Sequence, residues 1–189
     1  MDIRLAKLME GMIAYDKGDA RRAEHLVKVF GFSSTIGTLE GLSARDLFIL
    51  EAASIVHDIG IHVSEGKPGG DNGPNQQTFG PPEARKLMGE LGCFSPEEIE
   101  GVCFLIARHH TYKDIATLPW QILVEADFIV NLFENGAGKE EIGHVRKTIF
   151  KTKTGLALYD AIFSDVEKQA SESRMFQRKD GVIFREKRP

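Results

Sequence analysis

The stretch that most constrains this chain is Ala52-Ala53-Ser54-Ile55-Val56-His57-Asp58-Ile59-Gly60. An apolar run of helical character ends abruptly on an imidazole and a carboxylate, and a glycine follows soon after. A carboxylate in such surroundings is costly unless something positive meets it. The fold must therefore bring further groups to Asp58. An imidazole beside a carboxylate, both presented at a helix end, offers two hard ligands to one divalent cation.

The remaining pattern is helical nearly throughout. Asp2 can cap a first helix through Tyr15, with Ile3, Leu8 and Met12 as apolar positions. Asp19 can cap a second helix carrying His25, Leu26, Val29 and Phe30. Ser43-Ala44-Arg45-Asp46 opens the helix that ends at His57-Asp58, with Gly60 placed for a C-terminal cap. From His62 to Pro82 the residues Gly66, Pro68, Gly69, Gly70, Asn72, Gly73, Pro74 and Asn75 predict a long loop, a lid or site wall leaving directly from His57-Asp58. Pro82 then opens a helix that Gly92 closes. Ser95-Pro96-Glu97-Glu98 is a strong start for a helix ending at His109-His110. Further helices are expected over 120–135, 140–151 and 155–168.

The expected architecture is an all-α helical bundle over 1–167, followed by a basic tail, 168–189. That tail holds seven Lys/Arg against three acids, so a formal net charge of −4 for the 189 residues leaves about −8 on the body. Such a balance gives no global attraction for nucleic acid polymers or anionic membrane. No apolar run reaches the roughly 20 residues of a membrane span, and no signal peptide is evident. Cys93 and Cys103 lack a metal-type spacing and read as reduced core residues. A cytoplasmic location follows as the expectation, with a homo-oligomer left open.

Two further residues stand out. His25 shares a helix face with Arg22, Leu26 and Val29; taken alone, it reads as a hydrogen-bonded core histidine sooner than as a ligand. Asp127 lies in Val124-Glu125-Ala126-Asp127-Phe128-Ile129-Val130, among apolar neighbours, and needs either a basic side chain or a cation. Together His25, His57, Asp58 and Asp127 come from three helices. Two imidazoles and two carboxylates suit Mn, Fe, Co, Ni or Mg, with positions left for water and a substrate oxygen.

The ordered series His25, His57-Asp58, Asp127 resembles the HD superfamily of metal-dependent phosphohydrolases. Ile55-Val56-His57-Asp58-Ile59-Gly60 is similar to its naming motif, His25 with Lys28-Val29 to its first histidine segment, and Glu125-Ala126-Asp127 to its last. The resemblance spans about residues 24–131. It implies an HD-type bundle in which His25, His57, Asp58 and Asp127 bind one divalent metal ion. Some relatives bind a second metal through added histidines; Gln76 stands where the first of these would be, whereas His109-His110 resembles the later ones.

The function so implied is hydrolysis of a phosphomonoester or phosphodiester, of a nucleotide or similar small phosphorylated metabolite. Asp58 would orient the attacking water, His109 or His110 would serve as proton donor or phosphate contact, and Lys28 would neutralise phosphate, with Arg108 or Lys113 as further candidates. His62 and His144 read as surface. The alternatives are a di-iron oxygenase of the same superfamily and an idle domain that senses a nucleotide or partner.

Overall fold

The structure, a computed structural model, describes residues 1–164. The basic tail expected over 168–189 lies outside them. Among the described residues there are nine α-helices and no strand: α1 (Ile3–Tyr15), α2 (Ala20–Leu39), α3 (Ala44–Val56), α4 (Ile61–Glu65), α5 (Gly73–Leu91), α6 (Pro96–Ile106), α7 (Leu118–Glu134), α8 (Lys139–Thr148) and α9 (Lys153–Phe163). None is long and apolar enough to cross a membrane.

The helix starts follow their caps. Side chains of Asp2, Asp19 and Ser43 accept from the amides of Arg4, Arg22 and Asp46. Ser95 and Glu98 close a full capping box around Pro96. These contacts satisfy amides that a helix's first turn cannot pair internally.

Helix α3 is the hub. Its last turns bury Leu50, Ala52, Ala53, Ser54, Ile55 and Val56 around the whole circumference, as an interior helix must. It packs against α1, α2, α6 and α7, and its small residues let those neighbours come close. Fully burying Ile55 and Val56 contributes roughly 1.5–3 kcal/mol each. Because α3 ends in the centre, His57 emerges there rather than at the surface.

The long loop expected after Asp58 is largely helical instead. Only 66–72 remains irregular between α4 and α5. Asn72 caps α5 by accepting from the Asn75 amide, and Pro81 and Pro82 lie inside the helix rather than opening it. Those prolines remove the amides that would have paired with the carbonyls of Gln77 and Thr78. Packing overrides that local cost, since α5 runs against both α4 and α6. Gly92, at φ 63°, ends α5 as expected.

Gly60 has a different role from the expected helix-closing one. Its φ is −73°, so it needs no left-handed freedom. A Cβ there would sit 2.8 Å from the Gly80 amide nitrogen and 2.9 Å from the Gln76 carbonyl oxygen. Only glycine lets the α5 backbone press onto the turn that follows Asp58.

Candidate metal centre

Three helices place four residues around one point. His25 comes from α2, Asp127 from the middle of α7, and His57-Asp58 from the turn after α3. His25 Nε2 lies 3.2 Å from His57 Nε2 and 3.2 Å from Asp127 Oδ1. Asp58 Oδ2 lies 3.5 Å from His57 Nε2 and 3.7 Å from His25 Nε2. The other Asp58 oxygen, Oδ1, lies 3.5 Å from His109 Nε2. His57 and His109 are wholly buried and Asp127 nearly so. The Asp58 side chain keeps 26% of its surface exposed and faces an open pocket.

The ring protons of these histidines are fixed from outside the cluster. His25 Nδ1 donates to Glu134 Oε2 at 3.1 Å, His57 Nδ1 to the Ser54 carbonyl at 2.9 Å, and His109 Nδ1 to the Ile106 carbonyl at 2.7 Å. Carboxylates and carbonyls only accept, so each Nδ1 carries the hydrogen and each neutral ring turns a bare Nε2 inward. With the rings neutral, three lone pairs and two carboxylates thus converge, with no lysine or arginine of the described residues paired to Asp58 or Asp127. His109 Nε2 is buried and has no hydrogen-bond partner among the described residues. A buried acceptor without a partner is costly, and a cation or proton relieves it. This donor set fits a divalent metal ion, which His25, His57, Asp58 and Asp127 could hold, with His109 beside Asp58.

Without a cation the carboxylates hold protons on the imidazoles. Burial opposes charge on His57, yet Asp58 and Asp127 outweigh it and push its pKa up to about 9. His25 is also raised: burial opposes this, and Asp127 prevails. Burial works against ionisation of Asp58 and Asp127 too. The His57 charge, with His109 for Asp58 and His25 for Asp127, nevertheless holds both far below the usual carboxylate range.

His110 is turned to other partners. The Gln76 amide donates to Asp71 Oδ1 at 2.7 Å, so its carbonyl oxygen faces His110 and accepts from Nε2. The Tyr112 hydroxyl completes the ring at Nδ1, 3.1 Å away. Burial first, and then the neighbouring His109, lower the His110 pKa to about 4. Lys28 lies in ion pairs with Glu134 at 3.1 Å and Glu24 at 3.4 Å. Arg108 stacks on Phe104 and bonds its carbonyl. His62 is exposed, though it bonds buried Asp16 and Arg22; His144 is exposed as expected.

Asn131 and Glu134 were not singled out from the sequence. Asn131 Nδ2 donates to Asp127 Oδ1 at 2.7 Å, and Glu134 orients His25. The signal was there: Asp127, Asn131 and Glu134 stand at i, i+4 and i+7, one stripe of α7. The pocket beside the cluster measures about 390 Å³ and is lined by residues of α1, α2, α4, α5 and α7 together with the turns beside them.

No family model and no curated protein matches the chain. Among solved structures, a protein described as a predicted HD superfamily hydrolase from an uncultured Thermotogales bacterium is similar. Its TM-score is 0.59 at 21% identity, covering 92% of this chain and 91% of that one. The all-α arrangement over nearly the full length of both chains leads to one conclusion: this chain has the HD-domain fold.

Proposed function

We propose that the chain is a metal-dependent phosphohydrolase acting on a small phosphorylated substrate. The observation that carries this reading is the inward convergence of the His25, His57 and His109 Nε2 atoms on Asp58 and Asp127, with every Nδ1 proton committed elsewhere. The similarity of fold to a protein described as an HD superfamily hydrolase supports it.

His25, His57, Asp58 and Asp127 would hold one divalent ion of the Mn, Fe, Co, Ni or Mg group. Such an ion supplies Lewis acidity toward a phosphoryl oxygen and makes a neighbouring water more acidic. Asp58, half facing the pocket, orients the attacking water. His109 Nε2, 3.5 Å from Asp58 Oδ1, is the acceptor where the water's proton can rest. His110 lines the pocket and is held through Gln76 and Tyr112, so it shapes the wall that meets the substrate. Lys28 acts through Glu134, which in turn orients His25.

Metal analysis of the purified chain and of Asp58→Ala tests the assignment. One divalent ion per wild-type chain, lost in the variant together with phosphoesterase activity, is the expected result. Full phosphoesterase activity in Asp58→Ala would refute it. Two irons per chain would favour the oxygenase alternative, because Asp58, His109 and His110 form a second, overlapping group of potential ligands.

A further inference from the structure

Resting on the phosphohydrolase reading, we infer that the pocket takes phosphomonoesters of uncharged alcohols rich in hydroxyl or nucleobase-type amino groups, and disfavours di- and triphosphates of the same alcohol.

The nearby cations are already engaged. Arg22 meets Asp19 at 3.3 Å and Glu65 at 2.7 Å, and its remaining nitrogen lies 2.9 Å from the His62 ring. Lys28 is held by Glu134 and Glu24. Arg21 bonds the Asn135 side chain at 3.3 Å and has no carboxylate partner among the described residues. One guanidinium at the rim is a thin supply of positive charge for a polyphosphate chain.

The wall beyond the donor cluster is acidic. Asp16, Asp19, Asp71 and Glu134 line it, against Arg21 and Arg22; with Asp19 answered by Arg22 and Glu134 by Lys28, Asp16 and Asp71 still stand against the one guanidinium of Arg21. Carboxylate and ionised phosphate oxygens only accept hydrogen bonds, so acceptor would face acceptor wherever a second phosphate met one of these carboxylates. Each further phosphate also brings at least one more negative charge toward that wall. Hydroxyl and amino groups answer the same carboxylates with donors. Met12, Leu26 and Ile61 supply a buried apolar face for the alcohol's carbon skeleton. The volume of about 390 Å³ lies in the lower part of the ~300–1,000 Å³ range of small-molecule sites.

The step balances simply. The water oxygen bonds to phosphorus, the bond from phosphorus to the alcohol oxygen breaks, and that oxygen takes up a proton. The products are the free alcohol and orthophosphate, with no change of oxidation state.

The test is a one-pot competition with the full-length chain and Mn²⁺, using nucleoside 5′-mono-, di- and triphosphates and a phosphorylated neutral sugar, with products followed by phosphorus NMR. The monoesters should exceed the triphosphate in kcat/KM by at least tenfold. Raising ionic strength should narrow that ratio by screening the wall. Asp19→Asn, which keeps a competent helix cap and removes one charge, should narrow it at least threefold. A triphosphate turned over as well as its monophosphate overturns the inference, as does a ratio that neither salt nor Asp19→Asn moves. Absence of turnover for every ester overturns the phosphohydrolase reading itself, a result distinct from turnover in the reverse order.

Discussion

Gly155→Ala should be among the most damaging single-atom additions in this protein. Gly155 lies in the first turn of α9, where a Cβ would fall 2.6 Å from Thr152 Oγ1 and into the carboxylate of Glu125. Glu125 is wholly buried on α7. It accepts from Gln121 Nε2 at 2.8 Å, Thr152 Oγ1 at 2.5 Å, and the amides of Lys151 at 2.6 Å and Thr152 at 2.9 Å. The methyl group must displace either that carboxylate or the start of α9. Overpacking alone costs about 1–3 kcal/mol, and each buried group left without its hydrogen bond adds about 1–3 kcal/mol. A total of about 2–6 kcal/mol follows if one bond is lost, a large share of the roughly 5–15 kcal/mol that holds a domain together. At about 2–4 °C per kcal/mol for a chain of this size, the melting temperature should fall by roughly 4–24 °C. Circular dichroism melts and urea titrations measure it, with Gly143→Ala as control because nothing lies within 4 Å of a Cβ there. A Gly155→Ala protein within about 0.5 kcal/mol of wild type, below the ordinary cost of overpacking, would refute this account of the Glu125 anchor.

Further outcomes are expected at the site and in the core. A divalent ion at a hundred times its Kd should stabilise the chain by about 2.7 kcal/mol, a rise of roughly 5–11 °C in melting temperature; Asp127→Asn should lose that rise, and an undiminished one would exclude Asp127 as a ligand. Glu134→Gln should weaken metal binding roughly 10–100-fold, as loss of a ligand-orienting carboxylate does elsewhere, read by calorimetric titration; unchanged affinity would remove Glu134 from the site. Burial pushes the Cys103 thiol above its ordinary pKa. A raised thiol pKa lowers the thiolate fraction at a given pH, so Cys103 should react slowly with a disulfide reagent at pH 8 and gain rate above pH 9. Half-buried Cys93 should react first, and two equally fast thiols in the folded chain would contradict this.

What the sequence revealed divides along a physical line. Helix starts at Asp2, Asp19, Ser43 and Ser95 were legible because a cap is a local contract between a side chain and amides two or three residues away. His57, Asp58 and Asp127 were legible because polar groups in apolar helical runs have few ways to be tolerated. The first half of α5 was misread because glycine, asparagine and proline report local preference, whereas α4 and α6 decide the outcome through packing. The separation of His109 from His110 was also out of reach. It depends on Gln76, 34 residues away from His110, whose amide direction is set in turn by Asp71.

The fixing of the ring protons bears on how such a centre can change over generations. His57 and His109 give their Nδ1 hydrogens to main-chain carbonyls, which no point substitution can alter chemically. His25 alone relies on a side chain, Glu134. A codon change at Glu134, or at Lys28 behind it, therefore adjusts the Nδ1 side of a histidine here without touching the histidine or the two inward aspartates. Natural variation and laboratory evolution toward another metal should accumulate at those two positions.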